Sequence, residues 1–342
     1  MTKYVIKRVL LALVTAFIII SLTFIVFTLI PPASPSGMIS DQVAYYNDQV
    51  DKGFFIVSNT ELTQYGKYTF TYVDGSAVTH YYYIKPAIEQ YRAWLTNVVT
   101  KWDWGVSSSV RVNTPAIQLI AEKLPVTVKI NAVALVLSVP LGIALGVLAA
   151  LKKGTFTDKA ITVGIIAVVS LPSFVLISLL LLIFQKVLPS SWPAIEAPLE
   201  TRVLGYVIPV LASSLGSIAG YGRFVRGELV EVMSSDYLLL ARTKGLTKTQ
   251  SVVRHAMRNA MVPVLPSILA EFISVLGGSA ILEGMYNIPG IGNLFITAIN
   301  GLDYNLLMVD MAVFTTISLM AAVVLDLSYG FLDPRIRMGA KK

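Results

Sequence analysis

The sequence lacks cysteine altogether and has only two histidines, His80 and His255, among its 342 residues. Without thiols there is no disulfide, no thiolate metal site and no cysteine nucleophile. The histidines lie far apart and neither stands in an HExxH pattern, so they do not read as a metal site. No GxxxxGK[ST] loop is present to cradle ATP phosphates, and no GxSxG elbow occurs. No nucleophile and base share a depth within an apolar run, so an enzyme is not expected. Charge is the other scarcity: 14% of the residues are charged and 55% are hydrophobic. Soluble domains carry roughly a quarter charged residues. A chain this apolar is neither disordered nor suited to water, which leaves the bilayer as its solvent.

A helix crosses the hydrocarbon core with roughly 20 mostly apolar residues. Val9–Ile30, Ile130–Leu151 and Ala160–Gln185 qualify and carry no charge. Val203–Gly222 is also charge-free and rich in Gly and Ser, as closely packed helices tend to be. Asn259–Leu282 and Tyr304–Leu325 carry one acid each, Glu271 and Asp310. The first run follows Lys3, Lys7 and Arg8 but ends at Pro31-Pro32 rather than at an A-x-A site, which reads as an uncleaved helix. Seventeen basic residues fall in 1–8, 152–159, 223–258 and 327–342, while the short opposite loops hold Lys186 and Arg202. That asymmetry puts both termini in the cytoplasm. The net charge of +7 is then no sign of nucleic acid, because where the basic residues fall matters more.

The expected fold is an all-α polytopic membrane protein with six transmembrane helices. Residues 1–30 form the N-tail and first helix, 31–115 an external segment, and 116–338 the membrane core with a cytoplasmic loop at 223–258. The external segment alternates over Lys67–Val73, turns at Asp74-Gly75 and resumes at Tyr81-Tyr82-Tyr83. This pattern marks a β-hairpin near 67–84. The segment either caps the membrane domain or offers a docking surface to an external partner. In the cytoplasmic loop, Ser235-Asp236 starts a helix that Lys244-Gly245 ends, and Thr247-x-x-Gln250 is a capping box that starts a second. A loop this long is uncommon unless it has work to do.

A carboxylate inside a span costs roughly 2.5–3.5 kcal/mol on insertion scales. Glu271 and Asp310 are therefore read either as hydrogen-bonded groups at helix contacts or as lining groups of a translocation path. Asp310, near the start of the last span, is expected to face a wet cavity. Gly142-x-x-x-Gly146 and Gly216-x-x-x-Gly220 are read as helix-packing sites.

The run Tyr237-Leu238-Leu239-Leu240-Ala241-Arg242-Thr243-Lys244-Gly245-Leu246, followed by Arg254-His255-Ala256-Met257-Arg258-Asn259-Ala260 and Pro263, resembles a known loop. The loop that it resembles is the coupling loop of binding-protein-dependent ABC importer permeases, more narrowly that of the oligopeptide/dipeptide branch. Tyr91-x-x-Trp94-Leu95, Asp103-Trp104-Gly105-Val106-Ser107, Leu124-Pro125-x-Thr127 and Ser170-Leu171-Pro172-Ser173-Phe174 fit the family in order. Glu283, Ile288-Pro289-Gly290-Ile291-Gly292, Asp303-Tyr304 and Asp333-Pro334-Arg335-Ile336-Arg337 continue the run. Asn305 stands where a proline is usual, and the segment 48–84 is longer than the family's external loop. That segment is expected to be dispensable for the membrane core.

The resemblance implies a type I importer half in a bacterial or archaeal cytoplasmic (inner) membrane. Its partners would be a second similar permease, two ATPase subunits that hold ATP and Mg, an external substrate-binding protein and membrane lipid. This chain itself would bind no cofactor or metal. Tyr237, Ala241, Arg242, Lys244, Gly245, Leu246, Arg254, His255, Arg258 and Asn259 would couple to the ATPase. Glu283, Pro289, Gly290 and Gly292 would form an external loop or gate, and Asp310 and Glu271 would line the path. The cargo would be oligopeptide or dipeptide. Nickel chelate, glutathione or another small solute is the alternative within the family, and a membrane receptor or scaffold the alternative outside it. The orientation is testable because the chain has no native cysteine. Single cysteines at Thr157 and Thr249 should resist an impermeant thiol reagent in intact cells; external labelling of either overturns the topology.

Overall fold

Lipid offers the backbone no hydrogen-bond partners, so the apolar runs can cross only as helices that satisfy their own N–H and C=O groups. The computed structural model describes residues 2–30 and 34–332. Helix α1 spans Thr2–Thr28 and is followed by α2 (Ile39–Asp51), strands β1 (Phe55–Ser58), β2 (Phe70–Val73) and β3 (Thr79–Ile84), and α3 (Ala87–Lys101). Next come α4 (Ala116–Leu151), α5 (Phe156–Ser170), α6 (Ser173–Phe184), α7 (Leu199–Leu204) and α8 (Val207–Val232). The chain continues through α9 (Asp236–Thr243), α10 (Lys248–Ser251), a π-turn over Val252–Ala256 and α11 (Met257–Ser274). It then forms α12 (Ala280–Met285), α13 (Ile291–Asn300) and α14 (Tyr304–Leu332). Pro31-Pro32 and the motif Asp333–Arg337 lie outside the described residues.

Five stretches among the described residues are long and apolar enough to cross: Tyr4–Thr28, Ala116–Leu151, Leu199–Val232, Thr249–Gly277 and Tyr304–Ser328. The sixth expected span, Ala160–Gln185, is not one straight helix. There α5 and α6 meet at 108°. The cause is local. Pro172 has no N–H to continue the ladder, and it drives the residue before it out of the α region. Leu171 is accordingly extended, at φ −82° and ψ 129°.

The chain forms two compact units. The first is built on residues 125–293. Within it α4 and α8 approach closely, because a Cβ at Gly142 would lie 2.6 Å from that of Tyr221 and one at Gly146 2.7 Å from that of Val225. Gly216 and Gly220 differ: a Cβ at either meets nothing within 4 Å, so this second motif packs against no part of the described chain. Helix α8 runs on to Val232, past Gly222 where the span was expected to stop. It thereby carries Arg226 to Asp158, a 4% exposed acid at the start of α5. Arg226 Nε and Nη2 donate to the two Asp158 oxygens at 2.7 and 3.0 Å, and Gly154 N donates at 2.9 Å.

The second unit contains Leu10–Leu124 and Leu294–Thr316. Its antiparallel sheet has the order β1-β3-β2. The expected hairpin is β2–β3, in register Phe70↔Tyr82 to Val73↔Thr79. Its turn is wider than a two-residue Asp-Gly turn. Asp74 N donates to Val78 O at 3.0 Å, while Asp74 Oδ1 accepts from Ser76 N and Val78 N. His80 lies 3.1 Å from the other Asp74 oxygen and, with the Val78 amide, holds that carboxyl below the usual range. On the far side β1 pairs with β3 from Phe55↔Ile84. The sheet and α2 close on an aromatic core of Phe24, Tyr46, Phe54, Phe55, Tyr82 and Trp94, joined by Val98 and Met308.

Asp303 is fully buried in the same unit. Its Oδ2 accepts from Ser107 Oγ at 2.5 Å, Ser108 N at 2.9 Å and Ser109 N at 3.0 Å. Asn305, the departure from proline, donates from Nδ2 to Val106 O at 2.9 Å and so adds a bond that proline could not make.

The segment 48–84 is therefore no appended loop. It supplies Phe54, Phe55 and Tyr82 to the core of the second unit. Phe55→Ala should cost about 3–5 kcal/mol and lower the melting temperature of the detergent-purified chain. Val73→Ala, at a side chain 56% exposed, should stay within about 0.5 kcal/mol. Equal melting of the two variants would contradict this core.

Candidate functional site

The coupling segment is built by helix stop and start signals. Helix α9 ends where Gly245 takes φ +92°, a conformation that suits a residue without Cβ. A Cβ there would meet no atom within 4 Å, so the constraint is the backbone and not space. The capping box forms reciprocally: Thr247 N donates to Gln250 Oε1 at 3.1 Å, and Gln250 N donates to Thr247 Oγ1 at 3.2 Å. The second helix is not a separate short element, as expected from the sequence. Residues Thr249–Gly277 form one apolar stretch that passes through the π-turn into α11.

One face of this segment is buried. Leu238, Val252, Ala256 and Ala260 pack with Ala150, Tyr221, Val225, Leu229 and Val264. The other face is apolar and basic. Tyr237, Leu239, Leu240 and Val253 are 41–61% exposed, beside exposed Lys244, Arg254, His255, Arg258 and Asn259. Leu246 is half-buried, and Asn259 Nδ2 donates to Tyr237 OH at 2.8 Å. The structure thus brings these sequence-named residues into one segment. The side chains of Ala241 and Arg242 lie outside the described residues.

The loop at 278–293 is organised by one acid. Glu283 is 3% exposed. Its Oε1 accepts from Thr127 Oγ1 at 2.9 Å, and its Oε2 accepts from Gly292 N at 2.7 Å and Asn293 N at 3.1 Å. Thr127 Oγ1 in turn accepts from Ile291 N at 3.0 Å. Amides opening a helix suit a carboxylate, although burial pushes the Glu283 carboxyl up against these donors. A Cβ on Gly290 would strike Glu283 and Thr127, and one on Gly292 would lie 2.6 Å from Ala280 N. Pro289 lies at the edge, lining a groove with Lys129, Trp192 and Arg202.

Glu271 lines a cavity of about 280 Å³ together with Asn131, Ser173, Ser213, Ser217, Ser274 and Ser279. Ser217 Oγ donates to Glu271 Oε1 at 2.6 Å, and Tyr221 OH donates to Oε2. Asp310 is placed differently from the expectation. It is 0% exposed inside the second unit, where a group facing open water would show exposed surface. Sequence reasoning named Thr127 only as part of a motif, without a role, and missed Ser217, Tyr221 and the Asp158–Arg226 pair. For Arg226 a signal existed: Gly222, Val225 and Leu229 keep a buried helical spacing past the point where the span was ended.

The family described as binding-protein-dependent transport system inner membrane component matches residues 142–338. The dipeptide transport system permease protein DppB of Bacillus subtilis is 30% identical over the whole length of both chains. The oligopeptide transport system permease protein OppB of Haemophilus influenzae is 29% identical over 98% of this chain and 100% of its own. Among solved structures, the MetNI methionine ABC transporter, in an inward-facing conformation, is similar at 17% identity and a TM-score of 0.46, over 65% of this chain and 96% of its own. With more than half of its length matched, the chain belongs to the family of binding-protein-dependent transport system inner membrane components.

Proposed function

We propose that this chain is the transmembrane permease subunit of an ATP-driven importer of dipeptides or oligopeptides. The observation that carries the reading is end-to-end similarity to dipeptide and oligopeptide permeases. The exposed apolar and basic face at 237–259 supports a coupling role. In this reading each permease of a pair docks one ATPase subunit through that face, and ATP and Mg are held by the ATPase. An external binding protein delivers the peptide on the opposite side. Both termini are cytoplasmic, and the membrane is the inner membrane of a prokaryote. The cavity lined by Glu271 belongs to the translocation path, and the loop held by Glu283 is its external gate. Asp310, enclosed as it is, serves helix packing.

Apolar side chains exposed on a short helix next to cations are what a protein partner with an acidic-rimmed groove would cover. Movement of that partner would then act on α9 through Leu238, on the π-turn through Val252 and Ala256 and on α11 through Ala260, which share one buried cluster.

Mild detergent extraction should co-purify a second permease and the ATPase; recovery of neither would refute the assembly. Gly245 supplies the finer test. A β-branched residue at φ +92° costs roughly 1–2 kcal/mol, and re-aiming α9 relieves it without disturbing the spans. In reconstituted vesicles Gly245→Val should insert normally yet lose most peptide-stimulated ATP hydrolysis. Gly245→Ala should lose less and Gly245→Asn least, since Asn tolerates the left-handed region. Wild-type stimulation in the valine variant would remove the coupling role from this turn.

A further inference from the structure

We infer that Glu271 is a cation seat, at which the free ammonium group of an incoming peptide is received. The inference rests on the peptide-permease reading above and adds the chemical group that the path engages. Glu271 stands six residues before Gly277, the end of its span away from the coupling segment. At 1.5 Å per residue that is about 9 Å along the helix axis. The cavity it lines is therefore at the end where a delivered substrate would enter.

The electrostatics of the seat are one-sided. Each Glu271 oxygen accepts one neutral hydroxyl, from Ser217 and from Tyr221. Among the described residues no Lys, Arg or His forms an ion pair with it. The residues lining the cavity include no cationic side chain. The two hydroxyls fix the carboxylate's orientation without neutralising it. A carboxylate has about four lone-pair sites, so acceptor capacity is left for a charged donor.

An ammonium brings three donors. One can go to Glu271 and the others to the hydroxyl oxygens beside it, those of Ser217 and Tyr221. A hard metal cation fits less well, because it asks for six or more oxygen ligands, several of them carboxylates or carbonyls. Among the described residues no group of three metal-ligating side chains forms. The α-ammonium is also the group that every unblocked peptide carries whatever its sequence, so a seat for it tolerates varied cargo.

Two measurements test the seat. In the cysteine-free chain, Ser213→Cys places one thiol on the cavity wall of the assembled complex. Its reaction rates with a cationic and an anionic methanethiosulfonate reagent give a charge preference. Adding Glu271→Gln should lower the cation-to-anion ratio roughly tenfold, the scale of one charge-assisted bond. An unchanged ratio overturns the seat. Uptake by the complete importer in vesicles then compares alanyl-alanine with N-acetyl-alanyl-alanine. Any preference of the binding protein is common to wild type and variant and cancels between them. Glu271→Gln should reduce uptake of the free peptide roughly tenfold and leave the acetylated one within twofold. Equal loss for both, or loss for neither, overturns the ammonium assignment. If wild type moves neither peptide while the reagent ratio still falls, the fault lies in the peptide reading, and the ammonium assignment falls with it.

Discussion

A carboxylate taken out of water has to be met by donors, and four acids of this chain recruit theirs from distant segments. Asp303 gathers the turn at 107–109 from across 196 residues, and Glu283 takes Thr127 from 156 residues away. Asp158 takes Arg226 across 68 residues, and Glu271 takes Ser217 across 54. Leaving such a group unmet costs about 1–3 kcal/mol, and more when it is charged. Helices in lipid have no hydrophobic drive toward one another. Fixed polar points of this kind set which residue faces which, and the glycine contacts of α4 with α8 then let the backbones close.

Within this frame the two ends of the first unit have opposite characters. The segment from Leu238 to Ala260 buries small and aliphatic side chains and leaves rings, leucines and cations outside. The cavity by Glu271 turns hydroxyls, an amide and an acid inward. The first end is apolar and basic on its exposed side; the second mixes these polar groups with Leu135, Leu176, Ile177 and Val275.

What was legible in the sequence followed the range of the forces involved. Hydropathy acts over a whole span, so the long helices were readable from composition alone. The turn at Gly245 and the Thr247–Gln250 box involve residues at most a few positions apart, and both form as the spacing indicated. The break at Leu171-Pro172 was hidden by the unbroken apolar run around it, although Pro172 itself is its cause. Strand β1 has four residues and gains its partner only when β3 arrives, so no local pattern marks it. The acid–donor pairs were illegible for the same reason, because a serine or threonine far along the chain carries no sign of which carboxylate it will meet.

One consequence concerns the pair of helices α8 and α11. They are joined near one end by Ser217 and Tyr221 on Glu271, and near the other by Val225 and Leu229 in one cluster with Ala260 of α11 and with Val252 and Ala256 of the π-turn before it. From Ser217 to Leu229 the rise is about 18 Å. Between these pins α11 carries Pro263 and Pro266, each of which removes a hydrogen bond from its ladder. In the coupling proposed above, a tilt imposed near 252–260 would have to pass these two prolines before it reached the carboxylate.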